Sequence, residues 1–116
     1  QFSTHPYQWQ SEDGNARAKF GLDTSKDYPI WYIDVFEISH DERGQGLSRI
    51  YLKQLVSEIR NIEDGLDIEE VKRKNPNIGH SSIPPYQIVG KGLWNTSDFW
   101  DKMIEEKIVD GYLEDY

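Results

Sequence analysis

The stretch Arg43-Gly44-Gln45-Gly46-Leu47-Ser48 carries the clearest chemistry in this chain. It lies where an apolar run ends in a short polar turn and a helical pattern begins. Glycines in such a turn let the backbone approach a ligand and aim consecutive N–H groups at it. The helix that follows adds unpaired amides and the positive end of its dipole. Together these make an anion site suited to a phosphate or pyrophosphate. An ordinary strand-to-helix turn is the plainer reading. A second group with chemistry is the carboxylate pair Asp34 and Glu37, inside the apolar run just ahead of the turn. Burial raises a carboxyl pKa towards the range useful for accepting a proton from an ammonium or a water. Against that stands a salt bridge, or a strand-end charge that reaches solvent.

Two familiar phosphate fingerprints are excluded. No Gly-Lys-Ser/Thr follows the glycines, and their spacing is not that of a dinucleotide loop. His5, His40 and His80 are too scattered for a metal motif, so no metal site is expected. His80 beside Ser81 and Ser82 hints at nucleophilic chemistry, but no spacing rule supports it.

The elements that must position these residues are readable from periodicity. Tyr7–Gln10 and Ala16–Leu22 read as strands around Ser11-Glu12-Asp13-Gly14-Asn15, where Asp-Gly signals a hairpin. Ile30–Ile38 reads as a central strand. Trp31, Ile33, Val35 and Glu37 would share one face; Ile30, Tyr32, Asp34, Phe36 and Ile38 would share the other. From Leu47 to Ile62 the apolar residues Leu52, Leu55, Val56, Ile59 and Ile62 recur at helical spacing. Gly65 suits the position just past that helix. Asp67–Lys74 reads as a short charged helix, and residues 75–85 as an irregular loop. Tyr86–Val89 reads as a short strand. A helix from the Asn95–Asp98 caps to about Lys107 and a strand over Ile108–Tyr116 complete the pattern. The aromatic residues, among them Tyr7, Trp9, Trp31, Tyr32, Trp94, Phe99 and Trp100, are expected mainly in the core.

The turn resembles the coenzyme A pyrophosphate loop of the GNAT family, the Gcn5-related N-acetyltransferases. That family's pattern is Gln/Arg, two residues, Gly, one residue, Gly/Ala. Here it reads Arg43, Gly44-Gln45, Gly46, Leu47, Ser48, with Ser at a position normally Gly or Ala. The resemblance covers Ile30–Ile62 and extends to Gly92–Tyr116, where Phe99-Trp100-Asp101-Lys102-Met103 is similar to the family's Phe-Tyr-x-Lys-Leu helix.

The resemblance implies an α/β (α+β) fold: a GNAT-like mixed central sheet with helices on both faces, its N-terminal part reduced or missing. It also implies acetyl-CoA as cosubstrate and direct transfer of the acetyl group to an amine. Arg43, Gly44, Gln45, Gly46, Leu47 and Ser48 would hold the pyrophosphate. Ile38 and Ser39 would pair with the pantetheine arm as one more strand would. Glu37, then Asp34, would be the base. The family's usual acid is a Tyr, and Trp100 stands in its place; indole has no accessible acid chemistry. Tyr86 is the expected replacement, with Ile78–Tyr86, inside the longer 63–91 segment, bordering the acceptor site. The alternative is a catalytically inactive GNAT-derived interaction protein with an acidic surface.

Bulk properties set the outer limits. A chain of 116 residues is one domain with one core. With 36% hydrophobic and 13% aromatic residues it is a folding sequence. The formal charge of −8 disfavours nucleic acid and favours a cationic acceptor, a small amine or a protein amine. No apolar run approaches the length of a membrane span, and nothing excludes a homodimer. The absence of cysteine removes disulfides and thiolate chemistry and fits a cytoplasmic setting.

Overall fold

The computed structural model describes residues 7–38, 47–79, 81–92 and 97–114. Its elements are β1 (Tyr7–Gln10), β2 (Ala16–Asp23), β3 (Ile30–Ile38), α1 (Leu47–Asp64), α2 (Ile68–Lys74), β4 (Gln87–Gly92), α3 (Ser97–Glu105) and β5 (Gly111–Glu114). The five strands form one sheet in chain order, β1-β2-β3-β4-β5. Its first two pairings are antiparallel and its last two parallel. The class is therefore mixed α+β.

Local chemistry explains the hairpin. Gly14 takes a positive φ of 79°, which glycine adopts without steric cost. The Asp13 carboxylate accepts from the Asn15 N–H at 3.0 Å and from the Ser11 hydroxyl at 2.6 Å. Tyr51 of α1 donates its hydroxyl to the other Asp13 oxygen at 2.6 Å, tying the turn to the helix. Asp67 caps α2 by accepting from the Glu70 N–H at 3.2 Å.

Both parallel crossovers, β3-α1-β4 and β4-α3-β5, advance in the same direction across the sheet. Right-handed connections then put both helices on one face. The core bears this out: Trp31, Ile33 and Ile88 from the strands meet Leu52, Leu55 and Ile59 of α1 and Trp100 and Met103 of α3, with Ile68 of α2 packed beside them. Each large apolar side chain fully buried here contributes about 1.5–3 kcal/mol. Helices on both faces, as the resemblance implied, are not found among the described residues. The opposite face carries a small cluster made of strand residues alone, Ile30, Tyr32 and Val89.

The expected alternation along β3 also needs correction. Phe20 pairs with Ile33 and Lys19 with Val35, so Asp34 is an extra residue that faces no partner on β2. This β-bulge shifts the phase of everything after it. Phe36, not Val35, joins Trp31 and Ile33 in the core. Val35 and Glu37 turn to the helix-free face and line a shallow depression there with Gln8, Gln10, Arg17 and Lys19.

Candidate functional site

The ends of the parallel strands define two polar constellations. The first is at the carboxyl ends. β3 and β4 pair only from Ile30↔Gln87 to Ile33↔Gly90. Beyond that, β3 runs on to Ile38 beside β2, while β4 continues to Gly92 beside β5. Asp34 and Lys91 are the first residues past the last shared pair, one on each strand. Lys91 Nζ lies 3.3 Å from Asp34 Oδ1, and the Asp34 side chain is only 9% exposed. The same ammonium stands 4.9 Å from the centroid of the Tyr32 ring. A carboxylate and an aromatic face on the same cation is a favourable electrostatic arrangement.

Glu37 is placed differently. Its carboxylate meets the Arg17 guanidinium at 2.5 Å across the helix-free face, and both side chains are more than half exposed. Of the two carboxylates, Asp34 is the buried one and Glu37 the exposed one.

Under this end of the sheet lies an aromatic group. Phe36 stacks on Phe99 at 6.2 Å, and Trp100 stacks on Tyr112 at 5.8 Å. Trp100 is buried and fills the space over Gly90, where an added Cβ would lie 2.5 Å from the indole. Trp100 is thus a core residue.

The second constellation is at the amino ends of β3, β4 and β5. Glu63 of α1 is 3% exposed. It accepts from the Trp31 indole N–H at 2.8 Å and from the Tyr86 backbone N–H at 3.0 Å. Arg60 pairs with it at 3.3 Å and donates to the Tyr86 carbonyl at 2.7 Å. Asp110 accepts from the Ile88 N–H at 2.9 Å and returns its own N–H to the Ile88 carbonyl at 2.8 Å. The Trp31 indole, the Tyr86 and Ile88 amides and the Arg60 guanidinium all have acceptors here, which is the pattern of a structural knot.

Tyr86 belongs to this second group, which corrects its expected role as acid beside the coenzyme. It precedes β4 at the end away from the turn, is 4% exposed, and its buried hydroxyl has no hydrogen-bond partner among the described residues. Burial, then the nearby Glu63 charge, pushes its phenol above the ordinary value. The reason is directional. α1 runs back along the sheet, so the chain after it emerges at the amino ends of the strands. Residues 75–79, 81 and 82 accordingly pack on the loop before β3, with the Gly79 N–H on the Asp27 carbonyl at 2.7 Å and the Asn77 amide on the Thr24 carbonyl at 3.0 Å. They do not border the carboxyl ends, where ligands of parallel sheets bind.

Of the expected cofactor residues, Ile38 ends β3 and Leu47 and Ser48 open α1. Ser39, Arg43, Gly44, Gln45 and Gly46 lie outside the described residues, as do His5, His40, His80 and Trp94. Glu63 and Lys91 were not anticipated. Glu63 has a signal in hindsight: it continues the apolar stripe of Leu52, Leu55 and Ile59 by one more helical step. Lys91 has a weaker one, a cation directly after the apolar run Ile88-Val89-Gly90.

No family model, no curated protein and no solved structure matches the chain. Among the described residues no helix is long and apolar enough to cross a membrane.

Proposed function

We propose that this chain binds acetyl-CoA and transfers its acetyl group directly to an amine, as a divergent GNAT-type N-acetyltransferase. The observation that carries the reading is the pairing of β3 with β4, which stops at Ile33↔Gly90 while β3 continues to Ile38. The Arg-Gly-Gln-Gly sequence follows β3, and α1 starts at Leu47. An anion held by a helix N-terminus and an extended arm lying between parted strands are complementary parts of one cofactor. Asp34, nine-tenths buried at the junction, is the proton acceptor in this reading.

Calorimetry with coenzyme A on the wild type and on Gly46→Val tests it. Binding by the wild type and its loss in the variant is expected, since a branched side chain would stand where the pyrophosphate must approach. Thiol release with acetyl-CoA and a panel of amines then measures turnover. An absence of coenzyme binding sinks the proposal.

The second reading, a coenzyme-binding or interaction protein without catalysis, is favoured by one observation. Trp100, where the resemblance expects the acid Tyr, is 3% exposed and packed over Gly90. Binding without turnover on any amine decides for it.

A further inference from the structure

Asp34 and Lys91 face each other just past Ile33↔Gly90, the last shared pair of the two parallel strands. The ammonium is 3.3 Å from the carboxylate, and its side chain is about a third exposed. Acetyl transfer to an amine needs a nitrogen, a proton acceptor beside it and a thioester within reach. The chain supplies the first two already in contact.

We infer that Lys91 is itself an acetyl acceptor, so that the protein modifies its own β4; this rests on the acetyl-CoA reading given above. In the step, one ammonium proton of Lys91 passes by way of Asp34 to solvent. The free amine then adds to the thioester carbonyl carbon and the carbon–sulfur bond breaks. The electron pair leaves with sulfur, and the second nitrogen proton ends on the thiolate. The products are Nε-acetyl-Lys91, coenzyme A thiol and one proton in solution.

The product differs from the starting state at the strand junction. An acetylated lysine carries no charge and keeps neither the ion pair nor the attraction to the Tyr32 ring. Asp34 then loses the Lys91 ammonium as a partner.

The test incubates the full chain with acetyl-CoA and follows each lysine by peptide mass spectrometry. Exposed Lys53 and Lys102 report the uncatalysed background. Coenzyme affinity by calorimetry and thiol release with the amine panel are measured on the same sample. Lys91 should be acetylated about a hundred times faster than the two references, the lower range of general-base assistance. Asp34→Asn should bring it back to the background rate, with circular dichroism confirming the fold. If coenzyme A binds and amines turn over while Lys91 modifies no faster than Lys53 and Lys102, self-acetylation is overturned and the transferase reading stands. If coenzyme A does not bind and Lys91 stays at background, both fall. A faster Lys91 in Asp34→Asn also overturns the proposal, since the carboxylate would then only be restraining the ammonium.

Discussion

The indole N–H of Trp31, in the centre of the sheet, donates to the Glu63 carboxylate at 2.8 Å across 32 residues of sequence. Glu63 holds the Tyr86 N–H as well, so one side chain joins α1 to β3 and to the approach of β4. Removing it leaves two buried donors without that acceptor and Arg60 with only the Tyr86 carbonyl and the more distant Asp110. Glu63→Ala should lose about 3–5 kcal/mol of unfolding free energy, read by urea denaturation. Glu63→Gln, which keeps an acceptor oxygen, should lose distinctly less. A near-neutral Glu63→Ala would show that the knot is not holding these elements together.

Gly90 is fixed by the indole above it rather than by backbone conformation. A methyl group there would sit 2.5 Å from the Trp100 ring, and overpacking of this kind costs about 1–3 kcal/mol. Gly90→Ala should therefore lower stability by that amount. Trp100→Phe in the same chain should return part of the loss, giving a coupling energy in a double-mutant cycle. Purely additive effects would mean the ring can move aside.

The hairpin tether should respond to acid. Hydrogen bonds from the Ser11 hydroxyl, the Tyr51 hydroxyl and the Asn15 N–H lower the Asp13 pKa from 3.8 to about 2. A depressed folded pKa means that the contribution is present above the unfolded value and fades as pH falls through the folded one. The docking of the β1–β2 turn on α1 should thus be constant from neutral pH down to about 4 and weaken towards about 2. Chemical shifts of Gly14 and Asn15 report it directly. In Tyr51→Phe the transition should move to higher pH. An unshifted midpoint would remove Tyr51 from the account.

The two carboxylates of β3 should separate in kinetics. Asp34→Asn should reduce kcat with an external amine by about a hundred- to ten-thousand-fold, with coenzyme affinity nearly intact. Glu37→Gln breaks only an exposed pair with Arg17 and should change kcat by far less. Equal losses in both would return Glu37 to the chemistry.

Much of the architecture was legible because its causes are local. Asp13-Gly14 fixes the hairpin through its own hydrogen bonds, and the Leu52, Leu55, Ile59 spacing fixes α1. The charged run from Asp67 to Lys74 was legible as a short helix, and α2 spans Ile68–Lys74. What was not legible depends on a partner. The bulge at Asp34 exists only in the register between β2 and β3, so the alternation read along β3 alone is wrong after Ile33. The placement of Tyr86 and of residues 75–79 follows from the direction of α1, which no local pattern states. At the site, Asp34 was legible as an odd carboxylate, whereas its pairing with Lys91 needed the parallel register of β3 and β4.

The extra residue at position 34 makes β3 two half-strands that address opposite sides of the sheet in turn. Insertions and deletions are usually expected to be tolerated in loops and harmful in strands according to how deeply they are buried. Here the harm would come from parity. Deleting Asp34 alone would remove the unpaired residue and leave Val35 opposite Lys19, with Phe36 still under the helices and Glu37 still on the helix-free face. Deleting both Asp34 and Val35 would carry Glu37 under the helices and turn Phe36 out to water, since a one-residue slip exchanges the two faces. The reading frame of this strand, more than the identity of any one side chain in it, decides which residues the helices cover.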